Sequence, residues 1–299
     1  MNKVVIFGAN GFVGLEVSNI FMGKDIELHL FSKRGGSIKE HQINKIDLIR
    51  YEDAVKKLKE LDADYIIYLS SKIPNSFDES NYELIEINSR MHKTILSYWK
   101  STDAHLIYAS GCSVYGPHSP IPWKEDNVCL PDNYYSMSKL AGELLFYMEH
   151  QNTDLPLTIL RINAPFGRYN RRKTVVNLFI EKALNNEEIE LFGSGNREQD
   201  FLYIKDVANA FWLSYLKKES GIFNIASGNT TSMKDLAYTI RKIADSNSNI
   251  LVSNKIDPQE SIKVDIDISK AKKILNFSPE FSIEEGLKDC IKKYRYSKE

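Results

Sequence analysis

Tyr135 and Lys139, set in the stretch "NYYSMSKLAGELL", are a pair of side chains able to move a proton. At about 100° per residue they lie one helical turn apart and on the same side, whereas Tyr134 faces elsewhere. A phenol with an ordinary pKa near 10 exchanges protons poorly at neutral pH, and a neighbouring ammonium draws it toward the useful range. The pair therefore suits a general acid/base. Y-x-x-x-K alone also describes an ordinary surface pair, so its meaning depends on the elements around it.

The first of those elements is "GANGFVG", where Gly8, Asn10, Gly11, Phe12, Val13 and Gly14 join the strand "VVIF" to the helix "VGLEVSNIFM". Glycines allow a tight turn and close backbone approach, and the free N–H groups at a helix start attract a pyrophosphate. This is a dinucleotide site. At the end of the second strand, where an acidic residue would bind a ribose 2′-OH, the chain has Ser32, Lys33 and Arg34. The basic pair favours NADP(H) over NAD(H), with a solvated basic loop as the alternative. Asp47, after the third strand, can accept from an adenine amino group or serve as a helix N-terminal charge.

Short β-branched or aromatic runs ("VVIF", "ELHLF", "YIIYL", "HLIYAS", "LTILRI") alternate with segments of helical spacing. Alternation of this kind predicts a Rossmann-like, doubly wound α/β fold with a parallel sheet. The rhythm loosens after about Gly167. The reading is a cofactor-binding part over residues 1–166 plus about 200–226, and a smaller α/β substrate-binding lobe over 167–199 plus 227–299.

Composition narrows the partners. The 299 residues carry 39 basic and 40 acidic side chains with no long run of one sign, which speaks against nucleic acid or a membrane surface. Cys112, Cys129 and Cys290 are scattered, and the six histidines show no metal spacing, so no metal is expected. No apolar run approaches the roughly 18 residues of a membrane span, and the N-terminus shows no leader. A cytoplasmic location is expected.

With these motifs in order, the chain resembles the extended short-chain dehydrogenase/reductases, the family of nucleotide-sugar epimerases, dehydratases and ketoreductases. "GANGFVG", the "DL" of Asp47 and Leu48, "YIIYLSS" with Leu69, Ser70 and Ser71, Asn88, "YASGCSVYG", "YSMSK", "LRINAPFG", "REQDFLYIKDVA" and "FNIASG" carry the resemblance over nearly the whole length. It implies that Tyr135 exchanges a proton with a sugar hydroxyl or carbonyl and that Lys139 also holds the nicotinamide ribose. Several positions depart from the pattern. The usual serine or threonine before "VYG" is Gly111, leaving Ser113, or Ser110, to supply a hydroxyl. Cys112 and Ser113 stand where dehydratases carry acids, which disfavours a 4,6-dehydratase. Asn163 and Arg197 are each displaced from the usual substrate-binding asparagine and arginine, whose places hold Ala164 and Gln199. Arg168, Arg171, Arg172 and Lys173 can hold a diphosphate or form a basic loop.

The resulting expectation is an NADP(H)-dependent oxidoreductase of nucleotide-linked sugars, foremost a 4-ketoreductase. A 4-epimerase is the near alternative, and a non-catalytic NADP(H)-binding regulator the alternative of another class. Spare apolar faces on "LIEINSRMHKTILSYW" and "YSMSKLAGELLFYM" predict a twofold homodimer. Met91 and Trp99 read as core or subunit contacts rather than ligand contacts.

Overall fold

The computed structural model describes residues 1–74, 81–253 and 255–296. Its first half runs β1 (Asn2–Phe7), α1 (Phe12–Phe21), β2 (Ile26–Ser32), β3 (Gly36–Ile38), β4 (His41–Lys45), α2 (Tyr51–Leu58), β5 (Tyr65–Tyr68), α3 (Glu83–Trp99), β6 (His105–Gly111), α4 (Tyr134–Thr153) and β7 (Leu157–Ile162). There follow β8 (Pro165–Phe166), α5 (Val175–Leu184), β9 (Ile189–Leu191), β10 (Glu198–Asp200), β11 (Leu202–Tyr203), α6 (Ile204–Lys217), β12 (Gly221–Ile225), β13 (Thr230–Ser232), α7 (Met233–Ala244), β14 (Ile250–Val252), α8 (Ser269–Leu275) and α9 (Ile283–Tyr296).

Eight strands form the central sheet in the order β12-β7-β6-β5-β1-β2-β4-β3, parallel except for the β3–β4 pair. The chain leaves β1 first toward β2 and later toward β5, so the switch point of the sheet lies beside β1, where open α/β sheets bind ligands. Alternate residues of β1 explain the two covered faces: Val4 and Ile6 join one core cluster, Val5 and Phe7 the other. The parallel Rossmann-like sheet is as expected from the sequence. The three-residue β3 is an addition, turned back on β4 after Gly35 and Gly36, whose φ angles of +69° and +122° suit glycine. Among the described residues no helix is long and apolar enough to cross a membrane.

Helix α4 matters most for the site. Asn133 caps it, its side-chain oxygen accepting from the Ser136 amide at 2.9 Å, which fixes Tyr134 as the first helical residue and puts Tyr135 in the first turn. The apolar stripe lies away from Tyr135 and Lys139, with Leu144 and Met148 exposed. The buried face is Ser136, Ser138, Lys139, Gly142, Glu143 and Phe146. Close packing is the reason, because a Cβ on Gly142 would lie 2.5 Å from the Tyr108 hydroxyl and 2.9 Å from Nε2 of His92. The outer side of α3, by contrast, lacks the apolar face expected of it and presents Glu86, Arg90 and Lys93 to solvent.

Candidate active site

The carboxyl ends of β1, β2, β5 and β6 open into one cleft of about 1640 Å³. Gly8, Asn10, Gly11, Phe12, Val13 and Gly14 line one end of it. Two glycines there are required by geometry. Gly8 has φ +93° and a Cβ on it would meet the Ser70 amide nitrogen at 2.9 Å, while a Cβ on Gly14 would come within 2.0 Å of the Gly8 carbonyl oxygen. Helix α1 starts at Gly11 with no side-chain cap, leaving its first amides for an anion. This cradle fits a dinucleotide phosphate.

Beyond it lie Ser32, Lys33, Arg34, Asp47 and Leu48 on one side and Leu69, Ser70 and Ser71 on the other. Ser32 is buried, its Oγ accepting from the Gly35 amide at 3.0 Å. Lys33 pairs with Asp47 at 3.3 Å, which occupies both groups in part and leaves Arg34 as the freer cation at this end. Asn88 is placed differently from expectation. It sits behind the wall, fully buried, with Oδ1 accepting from the Lys72 amide at 2.7 Å and Nδ2 donating to the Lys72 carbonyl at 3.1 Å and to Ser138 Oγ at 2.8 Å. It shapes the wall through Lys72 and α4 rather than facing the cleft.

Tyr135 and Lys139 face the cleft together. Lys139 donates to the Ala109 carbonyl at 2.8 Å, and its Nζ lies 5.9 Å from the centre of the Tyr135 ring. Lys139 does not draw the phenol toward neutrality as expected. Burial pushes Tyr135 up to about 12, against the smaller pull of the Arg172 guanidinium and a hydrogen bond with Ser71. Burial also brings Lys139 down to about 7, while the Glu143 carboxylate one turn on opposes the change. Burial thus favours the protonated phenol.

Beneath the pair runs a buried polar network. Glu143 receives Ser110 Oγ and two forks of Arg161, Nη2 to Oε2 at 2.7 Å and Nε to Oε1 at 3.1 Å. Arg161 also donates to Tyr115 Oη at 2.9 Å, which donates to Asn224 Oδ1 at 2.7 Å; the Asn224 amide donates to Glu125 at 2.8 Å. Ser110 is thus held toward Glu143. Both serines line the cleft, Ser110 buried and Ser113 exposed. Gly111 has φ −149°, and a Cβ there would meet nothing closer than 3.5 Å, so neither backbone nor space demands glycine.

The substrate-side expectations divide. Asn163 lines the cleft but its Nδ2 donates to the Asp200 carbonyl at 2.7 Å. Arg197 points elsewhere: Nε pairs with Asp257 at 2.8 Å and Nη1 with Gln259 at 3.0 Å. Gln199, Arg172 and Lys173 line the cleft, as do Lys72 and Met91. Lys72 escaped the sequence reading, although it directly follows "YIIYLSS". Met91 is both core and cleft wall.

A family model described as the NAD dependent epimerase/dehydratase family matches residues 4–226. The chain is 27% identical to a putative UDP-glucose 4-epimerase of Methanocaldococcus jannaschii, covering 96% of this chain and 97% of that protein. It is 26% identical to a dTDP-4-dehydro-6-deoxyglucose reductase of Escherichia coli, covering 98% of each. Among solved structures, a UDP-N-acetylglucosamine 4-epimerase from Methanobrevibacter ruminantium, in complex with UDP-N-acetylmuramic acid, matches with a TM-score of 0.87 and 25% identity over 99% of both chains.

Proposed function

Because the chain belongs to the NAD dependent epimerase/dehydratase family, whose enzymes act on nucleotide sugars, we propose that it is an NADP(H)-dependent 4-ketoreductase of a nucleotide-linked sugar. The observation that carries this reading is the half-buried Tyr135 beside Lys139, in the same cleft as the glycine cradle. Reduction of a ketone requires a proton for its oxygen, and burial, which pushes the phenol up to about 12, favours the form that carries one. When bound, the nicotinamide supplies the hydride. Tyr135 gives its proton to the sugar oxygen, the Lys139 ammonium stabilises the phenolate left behind, and Ser113 orients the carbonyl in the place usually taken by a residue at position 111. Gln199 and Arg172 belong to the wall that holds the sugar nucleotide. On this reading the cofactor-binding part is 1–166 with about 200–226, and the remainder binds substrate.

The test is stoichiometric. With 4-keto-6-deoxy nucleotide sugars, about one NADPH is expected to be consumed per sugar reduced, read from the loss of its absorbance. A second reading, the 4-epimerase, draws support from the relatives named as epimerases. Interconversion of two 4-hydroxy sugars with unchanged absorbance would establish it and displace the reductase.

Arg34, with Lys33, supports the choice of NADP(H) over NAD(H). Charge-assisted bonds to a 2′-phosphate should make NADP(H) tighter by about 1.5–3 kcal/mol in calorimetry, a gap that Arg34→Ala narrows. Equal affinities in the unaltered protein would exclude the clamp.

The exposed face of α4, with Met137, Leu144, Tyr147 and Met148, supports a twofold homodimer. Light scattering at micromolar concentration should give twice the monomer mass. Leu144→Glu should return it to one.

A further inference from the structure

Arg168 opens the basic stretch that borders the cleft but does not itself line it. Its Nε lies 3.1 Å from Oε1 of Glu16 on α1 and 3.7 Å from Oδ2 of Asp289 on α9. Asp289 also accepts from the Tyr203 hydroxyl at 2.5 Å. Glu16 is only 5% exposed. Burying a carboxylate costs desolvation, so Glu16 stands only with a cation beside it. Arg168 is that cation, and it comes from the other side of the cleft.

From Arg168 the chain passes through Tyr169, whose φ of +72° is in the left-handed region and whose ring centre lies 5.3 Å from the Arg168 guanidinium and 5.6 Å from Lys293 Nζ. It then presents Asn170, Arg172, Lys173 and Thr174 to the cleft. Arg172 acts electrostatically on Tyr135 and donates to the Pro74 carbonyl across the cleft. The far end of the segment is pinned by Asn177, whose Nδ2 donates to the carbonyls of Asn170 and Arg172 at 2.8 Å each.

We infer that Arg168 is a positioning residue: its contacts with Glu16 and Asp289 form a strut that ties segment 168–174, and Arg172 within it, to the cofactor-binding helix. The catalytic consequence rests on the proposed nucleotide-sugar reading; the strut itself does not. A tie between the two walls makes cofactor and substrate sites energetically coupled through one element.

Hydrogen exchange tests the strut without any substrate. In Arg168→Ala and Glu16→Gln, the amides of Arg172 and Thr174, both hydrogen-bonded within the segment, should exchange about tenfold faster, the scale of one charge-assisted bond. Amides of β1 and β6 should be unchanged. Unaltered exchange at Arg172 and Thr174, or a rise shared equally by the sheet, overturns the strut. Calorimetry then reads the consequence, with NADP⁺ and, on the NADP⁺ complex, UDP-glucose and dTDP-glucose as probes. Arg168→Ala should keep NADP⁺ affinity within about twofold and weaken the sugar nucleotide about tenfold, and adding Arg172→Ala should weaken it little further. Full additivity of the two substitutions overturns the positioning role. Failure of the unaltered protein to bind any sugar nucleotide counts against the functional reading, and the exchange result still decides the strut.

Discussion

Replacing Tyr135 by phenylalanine is expected to lower turnover by about 10²–10⁴-fold, the usual worth of a positioned acid/base, while cofactor affinity stays almost unchanged. Only the proton path is removed, because the ring remains to fill its half-buried place. Lys139→Ala should weaken both turnover and cofactor binding. Tyr134→Phe should do little, since Tyr134 faces solvent on the other side of the helix. The pH dependence follows from the same pair. Burial brings Lys139 to about 7, so its ammonium, present below that value, is lost as pH rises through it. Turnover should therefore fall on the alkaline side of about 7, and Lys139→Arg, whose charge does not titrate there, should lose that limb. A Tyr135→Phe enzyme of near-normal activity would end the acid/base assignment.

The second large effect concerns stability. Glu143 and Arg161 are both nearly inaccessible, and their paired forks neutralise each other inside the fold. Glu143→Leu alone leaves a buried guanidinium without its counter-charge, which costs about 3–5 kcal/mol. Denaturant unfolding should report a loss of that size for either single substitution and a much smaller loss for Glu143→Leu combined with Arg161→Met. Single variants within about 1 kcal/mol of the unaltered protein would show that the pair carries little of the fold.

The contrast between these two predictions shows what was legible in the sequence. Tyr135 and Lys139 are four residues apart on one helix, and Gly8 and Gly14 occupy places that no side chain could share. Local spacing and local sterics are written along the chain. Glu143 was read only as part of a helix, because its partner Arg161 lies on β7 and nothing nearby in sequence announces it. Arg197 was misplaced for the same reason, being drawn away by Asp257, which follows 60 positions later. On α4 the apolar stripe reads as a spare outer face, but hydrophobic periodicity does not announce that the inner face is polar and small so that it can approach β6 and carry the network. Gly111 was legible as a departure, while the orientation that separates Ser110 from Ser113 required the position of Glu143.

The two margins of the central sheet bear on how copies of the chain behave when crowded. One margin ends in the three-residue β3, whose following turn carries the exposed Lys39 and Glu40. At the other, on β12, the Asn224 amide donates to Glu125 instead of to a neighbouring strand. A strand from a second molecule that tried to extend the sheet would find a short, charged border on one side and a donor already engaged on the other. Edge-to-edge growth, the route toward fibrils and swapped strands, is thereby discouraged, and association is channelled toward helical surfaces.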